Sequence, residues 1–106
     1  MPKGISEIAP ISEKAFESQV KELAKLFGYV YYHTWRSFHS PSGFPDCVLV
    51  RLEPEPRLIF LELKSETGQP TIDQWIWLYI LQQLPKPVEA YLWKPSEFEE
   101  LAEILR

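Results

Sequence analysis

A single cysteine, Cys47, in a chain of 106 residues excludes an internal disulfide and a multi-cysteine zinc site. It stands within an apolar run, where a buried thiol without chemistry is the ordinary state. No apolar stretch approaches the roughly 18 to 20 residues of a membrane span, and the start lacks the basic and apolar segments of a signal peptide. A cytoplasmic, intracellular location is therefore expected. Positive charge is in deficit: 11 Lys and Arg against 15 Asp and Glu leave a net charge of −4, which disfavours holding nucleic acid by bulk electrostatics alone. Recruited divalent cations and a local basic cluster remain as routes to phosphate. The local candidates are Lys14, Lys21, Lys25, His33, Arg36 and His39, all within the first forty residues.

What the chain does contain is apolar and aromatic material, 45% and 14% of its residues, which argues for a folded core rather than disorder. Its length supports one domain, because two halves would each bury too little surface. Residues 1–11 carry two prolines and a glycine without sustained periodicity and read as an N-terminal arm; residues 12–106 form the domain. Ser12 is a suitable N-cap, and Phe16, Val20, Leu23, Ala24 and Phe27 recur at helical spacing up to Gly28, predicting a helix over 13–27. Tyr29–His33 has strand composition and leads into a Ser/Pro/Gly-bearing loop from Ser37 to Pro45.

Asp46–Leu52 is a near-continuous apolar strand, the prolines at 54 and 56 turn the chain, and Leu58–Lys64 returns as its neighbour. Thr71 with Gln74 forms a capping-box pattern that opens a second helix ending near Leu84. A strand at Val88–Trp93 follows, and Ser96 with Glu99 repeats the pattern ahead of a C-terminal helix. The expectation is an α/β domain with αβββαβ order plus a C-terminal helix, a central mixed sheet flanked by helices. In the second helix Trp75, Ile76 and Tyr79 share one face, expected to pack in the core, whereas Trp77 points elsewhere and is expected at a dimer contact.

The chemistry concentrates on two strands. Residues two apart in a strand face the same way, so Glu62 and Lys64 share a side while Leu61 and Leu63 take the other. An antiparallel hairpin sets the start of one strand beside the end of the next, bringing Asp46 to Glu62 and Lys64. Two converging carboxylates suit a hard divalent cation, Mg²⁺ or Mn²⁺, with waters and a substrate phosphate completing the shell. Lys64 would then position or deprotonate a water, or stabilise a pentacovalent transition state; the residue types leave these roles open. Each fragment alone has a plainer account. Pro-Asp is a common turn, Glu-x-Lys a common solvated ion pair, and Gln74 is explained by its cap. It is their conjunction, in order and at this spacing, that favours chemistry.

Gly43-Phe44-Pro45-Asp46 followed by Glu62-Leu63-Lys64 resembles the Pro-Asp…(Asp/Glu)-x-Lys signature of the PD-(D/E)XK nuclease superfamily, which includes restriction endonucleases and Holliday-junction resolvases. With Glu17-Ser18-Gln19-Val20 in the first helix, Gly68 after Glu-Leu-Lys, and Thr71 with Gln74, the chain resembles the VRR-NUC subfamily over roughly 12–106. The resemblance implies a restriction-endonuclease-like core and Mg²⁺- or Mn²⁺-dependent hydrolysis of phosphodiester bonds in DNA. It implies Asp46, Glu62 and the backbone carbonyl of Leu63 as metal ligands and Lys64 as the catalytic lysine. Glu17 would approach the metal directly or through water, and Gln74 would stand beside the site. Similar single-domain members are homodimeric nucleases, many phage-encoded, that cut branched DNA. Thr67-Gly68-Gln69-Pro70 lacks the basic residue that many relatives carry there. The competing expectations are a non-catalytic DNA- or protein-binding module that keeps the fold, and an adaptor whose charged strand is merely solvated. His33 and His39 are expected at the surface or in caps and stay outside the catalytic set.

Overall fold

The computed structural model describes residues 11–35 and 39–106. The expected arm, apart from Ile11, and the basic candidate Arg36 lie outside them. In chain order the elements are α1 (Glu13–Leu26), β1 (Val30–His33), β2 (Cys47–Arg51), β3 (Arg57–Leu63), α2 (Ile72–Gln83), β4 (Val88–Trp93) and α3 (Phe98–Leu105), the last preceded by a 3₁₀ turn at Pro95–Glu97. The molecule is thus an α/β fold with a four-stranded mixed sheet and helices on both faces. No described helix is long and apolar enough to cross a membrane.

Local chemistry fixes the element ends. Ser12 Oγ accepts a hydrogen bond from the Ala15 amide at 3.0 Å, satisfying one of the free donors at the start of α1. Gly28, at φ 82°, takes the left-handed conformation that lets the chain leave α1 and enter the sheet. Thr71 and Gln74 make a complete capping box, each side chain accepting from the other's amide. The expected Ser96/Glu99 box does not form. Glu97 instead reaches back to accept from the Lys94 amide at 3.0 Å, and Ser96 donates its amide to Glu66 at 2.9 Å. The physical reason is Pro95, which starts the 3₁₀ turn and moves the first free amides upstream.

The strands lie in the order β1-β2-β3-β4, antiparallel except for β4, which runs parallel to β3 as the helical crossover through α2 permits. Pairing of Val48 with Phe60 and of Phe60 with Ala90 sorts the side chains onto two faces. On one face Cys47, Leu49, Ile59, Leu61, Leu63 and Trp93 pack with Phe16, Val20 and Ala24 of α1 and with Leu101 and Leu105 of α3. On the other, Leu78 and Leu81 of α2 meet Ala90, flanked by Phe60, Trp77, Val88 and Leu92. Cys47 is fully buried, and burial pushes its thiol up to about 12, so it is an inert core residue as expected.

Here the expectation for α2 is overturned. Trp75, Ile76 and Tyr79 are 50%, 50% and 66% exposed, while Trp77 turns inward and meets Phe44 edge-on at 5.0 Å. The helix is apolar on nearly every side, so its spacing gave no way to choose a buried stripe; the sheet chose Trp77, Leu78 and Leu81.

At the end of the sheet remote from Asp46 and Lys64, Arg57 closes a polar knot. Its Nε and Nη2 donate to the two oxygens of Glu89 at 2.8 and 2.7 Å, and its Nη1 donates to Tyr29 Oη and the Ile104 carbonyl. Removing one member strands the rest in a poorly hydrated position. Arg57→Ala is expected to cost about 2–4 kcal/mol in urea unfolding, well above the value of an exposed pair.

Candidate functional site

The site lies where β2 begins and β3 ends. Cys47 pairs with Leu61, so Asp46, one residue earlier, falls beside the end of β3. Its Oδ2 accepts the Leu63 amide at 2.8 Å, and its backbone carbonyl accepts from Thr34, extending the ladder one step past β1. The carboxylate is thereby oriented by the sheet itself. Pro45 is buried, and its carbonyl accepts from Thr34 Oγ1 at 2.8 Å, which holds the turn that delivers Asp46.

Glu62 is fully buried on the face that α2 partly covers, and both of its carboxylate oxygens lack a hydrogen-bond partner. Lys64 Nζ stands 3.3 Å from Oε2, close enough for attraction but outside hydrogen-bond geometry. Burial first, then the adjacent Asp46 charge, push the Glu62 carboxyl up to about 8, and the Lys64 ammonium offsets only part of this. A buried carboxylate without donors is costly, and a bound cation relieves it.

Asp46 and Lys64 border an open cleft of about 700 Å³, together with Glu17, His33, Trp35 and Gln74. Glu17 comes from α1 on the opposite face of the sheet, and its Oε1 lies 2.7 Å from His33 Nδ1. Burial raises the Glu17 carboxyl, His33 pulls it back down, and Asp46 pushes it up again. Gln74 borders the cleft while its Oε1 accepts the Thr71 amide at 2.8 Å, so it serves as a cap and a wall residue at once. Among the described residues no three His, Cys, Asp or Glu side chains converge closely enough to hold a metal. Asp46 and Glu62 are brought together; Glu17 lines the same cleft as Asp46 but is engaged by His33. Their donor chemistry, two carboxylates of which Glu62 keeps both oxygens without a hydrogen-bond partner, fits a hard cation that draws its remaining ligands from water and phosphate.

Two features of this site go beyond the expected residue set. His33, expected at the surface or in a cap and left outside the catalytic set, is a partly buried partner of Glu17; its position two residues beyond Tyr31 on the same side of β1 was the available signal. Trp35, edge-on to His33 at 5.5 Å and 80% exposed, stands at the cleft mouth. A shallower groove continues from it past Tyr32 to Lys14 and Lys21, which puts two of the expected basic residues next to the acidic centre.

The loop that carries Asp46 is locked onto the start of α2. Ser42 Oγ donates to the Asp73 carboxylate, and Phe44 meets Phe60 and Trp77 edge-on. Gly43, at φ 96°, passes so close that a Cβ there would sit 2.5 Å from the Asp73 carbonyl carbon. Gly43→Ala is expected to destabilise the fold by about 1–3 kcal/mol. The same change should weaken divalent-cation binding, read by calorimetry, because the loop can escape the clash only by moving Asp46.

No family model, no curated protein and no solved structure matches this chain.

Proposed function

We propose that this domain is a metal-dependent DNA endonuclease of the restriction-endonuclease-like kind, hydrolysing phosphodiester bonds in branched DNA such as Holliday junctions. The observation that carries this is the buried, hydrogen-bond-free Glu62 carboxylate beside Asp46, with Lys64 next to it at the edge of an open cleft. The Asp-turn and Glu-x-Lys motifs, the αβββαβ element order and the cleft support it jointly.

Asp46 and Glu62 would hold Mg²⁺ or Mn²⁺, with the Leu63 carbonyl as the further ligand that the resemblance suggests. The ion supplies an acidified water and positive charge against the phosphoryl oxygens. Lys64, with a side chain only 13% exposed, presents a fixed ammonium at the cleft edge, where it attracts a phosphate and stabilises charge developing on it. The Leu63 amide keeps the Asp46 carboxylate from rotating, which conserves its aim between turnovers. Glu17 and His33 form the opposite wall and can orient a water or a phosphate oxygen through their paired polar atoms. Gln74 offers its amide nitrogen to the same space, since its oxygen is committed to the cap.

The direct test is incubation of labelled four-way-junction, flap and plain duplex DNA with the protein in Mg²⁺ or Mn²⁺. Cutting that requires the ion and favours the branched substrates is expected. A folded protein that cuts none of them and binds neither ion in calorimetry would eliminate the nuclease reading.

A further inference from the structure

The cleft beside Asp46 does not end at its mouth. Glu17, His33 and Trp35 line both the cleft and the shallower groove that runs on between α1 and β1, so the two make one continuous surface. Among the described residues β1 pairs with β2 alone and forms an edge of the sheet, which leaves the groove open along its length.

One wall of the groove is a stripe of α1. Lys14, Glu17, Ser18 and Lys21 all line it, at the spacing that sets side chains one above another on a helix. From Lys14 to Lys21 the helix rises roughly 10 Å, at about 1.5 Å per residue. Both lysines are exposed, and Lys21 Nζ stands 5.9 Å from the centre of the Tyr31 ring. Two cations thus face one carboxylate, Glu17, which lies 2.7 Å from His33. The sign of the groove is opposite to that of the chain, whose net charge is −4. The other wall ends in Trp35, which meets His33 at 5.5 Å between ring centres and is otherwise 80% exposed. An indole so bare is unfavourable in water, and stacking a flat ring on it relieves the cost.

We propose that this groove is a subsite for unpaired nucleotides, with Trp35 stacking on a base and Lys14 and Lys21 holding phosphates of the same strand. Three observations select this occupant. The two lysines span about three base steps at the roughly 3.4 Å of a stacked strand, so both can reach phosphates of one short segment. In a duplex every base face is already stacked inside the helix, and an indole finds a free face only on an unpaired base. The groove also opens into the cleft bordered by Asp46 and Lys64, so a strand lying in it leads there. This last point rests on the nuclease reading. It makes a single-stranded tail beside the cut the feature that selects the substrate, ahead of a fully paired four-way junction. Occupancy of the groove itself needs neither metal nor cleavage.

The test is fluorescence anisotropy of the full chain with a labelled oligothymidylate and with a duplex of equal length, in low salt without divalent ions. Circular dichroism checks the folding of each variant. The single strand is expected to bind more tightly than the duplex. Its log association constant should fall with log salt at a slope of about −1.4, the value for two phosphate contacts on a single strand, and of about −0.7 in Lys14→Ala. Trp35→Ala should weaken binding at least about fivefold with the slope unchanged, and Trp35→Phe should restore most of it. Trp75→Ala, an exposed aromatic on α2, and Lys86→Ala, an exposed cation in the turn ahead of β4, should match the wild type. With Mn²⁺, Trp35→Ala should raise the half-saturating concentration of a tailed substrate and leave the single-turnover rate at saturation unchanged. Undetectable binding of the single strand, equal affinity for the duplex, or a Trp35→Ala variant that binds as the wild type does overturns the proposal. So does an acidic peptide that displaces the oligonucleotide as readily as unlabelled strand, because charge alone then defines the occupant. A protein that binds the strand through Trp35 but cuts nothing counts against the nuclease reading alone, and one that cuts while indifferent to Trp35 counts against this subsite alone.

Discussion

Asp46→Ala and Lys64→Ala are each expected to reduce metal-dependent DNA cutting by about 1,000-fold or more while leaving the fold intact, as measured by single-turnover cleavage of a labelled junction. The two losses have different causes and should separate in a binding experiment. Asp46 is one of two carboxylates facing the same point, so its removal halves the anionic charge available to a cation and frees the Leu63 amide. Calorimetry with Mn²⁺ should then show no site. Lys64 is a cation beside Glu62, and removing it takes away a competitor for the same carboxylate. Mn²⁺ binding in Lys64→Ala should survive or tighten even as cleavage disappears. If both variants lose metal binding, Lys64 acts through the structure of the site. If neither loses cleavage, the chemistry is elsewhere.

Glu62 leads to the second large effect, one that depends on pH. Its carboxyl is pushed from 4.5 up to about 8 by burial and by the Asp46 charge. Between those values the folded protein holds a proton that the unfolded chain has released, so stability falls as pH rises toward 8. Glu62→Gln is isosteric and never ionises, and should abolish that slope. The variant is expected to melt higher than wild type at alkaline pH without metal, by about 4–8 °C for each kcal/mol relieved, with the difference shrinking toward acid pH. Mn²⁺ should reverse the order, since a cation binds the ionised carboxylate and displaces its proton. Wild-type melting temperature should rise with Mn²⁺, more steeply as pH approaches 8, and the Gln variant should not respond. Parallel pH profiles for the two proteins, with and without metal, would mean that Glu62 is neither perturbed nor a ligand.

Much of this site was legible because strands are simple rulers. Alternation puts Glu62 and Lys64 on one side of β3, and an antiparallel neighbour beginning at residue 46 can only end near them. The helix starts were equally legible at Ser12 and Thr71, where a short polar side chain reaches an amide three residues on. The boundary at Ser96 was not, because Pro95 relocated the donors that the cap was meant to satisfy. Glu17 does line the cleft that Asp46 borders, but its contact with His33 was missed. The approach of α1 to the last residue of β1 is a matter of helix packing over many residues of separation, and local pattern carries no record of it.

By itself, then, the sequence determined an α/β fold, the order of its helices and strands, and the meeting of Asp46, Glu62 and Lys64, all of which follow from periodicity and turn chemistry acting over a few residues. Tertiary structure alone decided which side of α2 faces the sheet, because a helix apolar all round has no preferred stripe until a partner surface selects one. It alone decided that, among the described residues, Val30, Tyr32 and Val50 stay exposed on one sheet face, since coverage depends on where the helices settle on the sheet. It alone buried Glu62 completely, and burial is the property that makes an ordinary Glu-x-Lys strand chemically unusual.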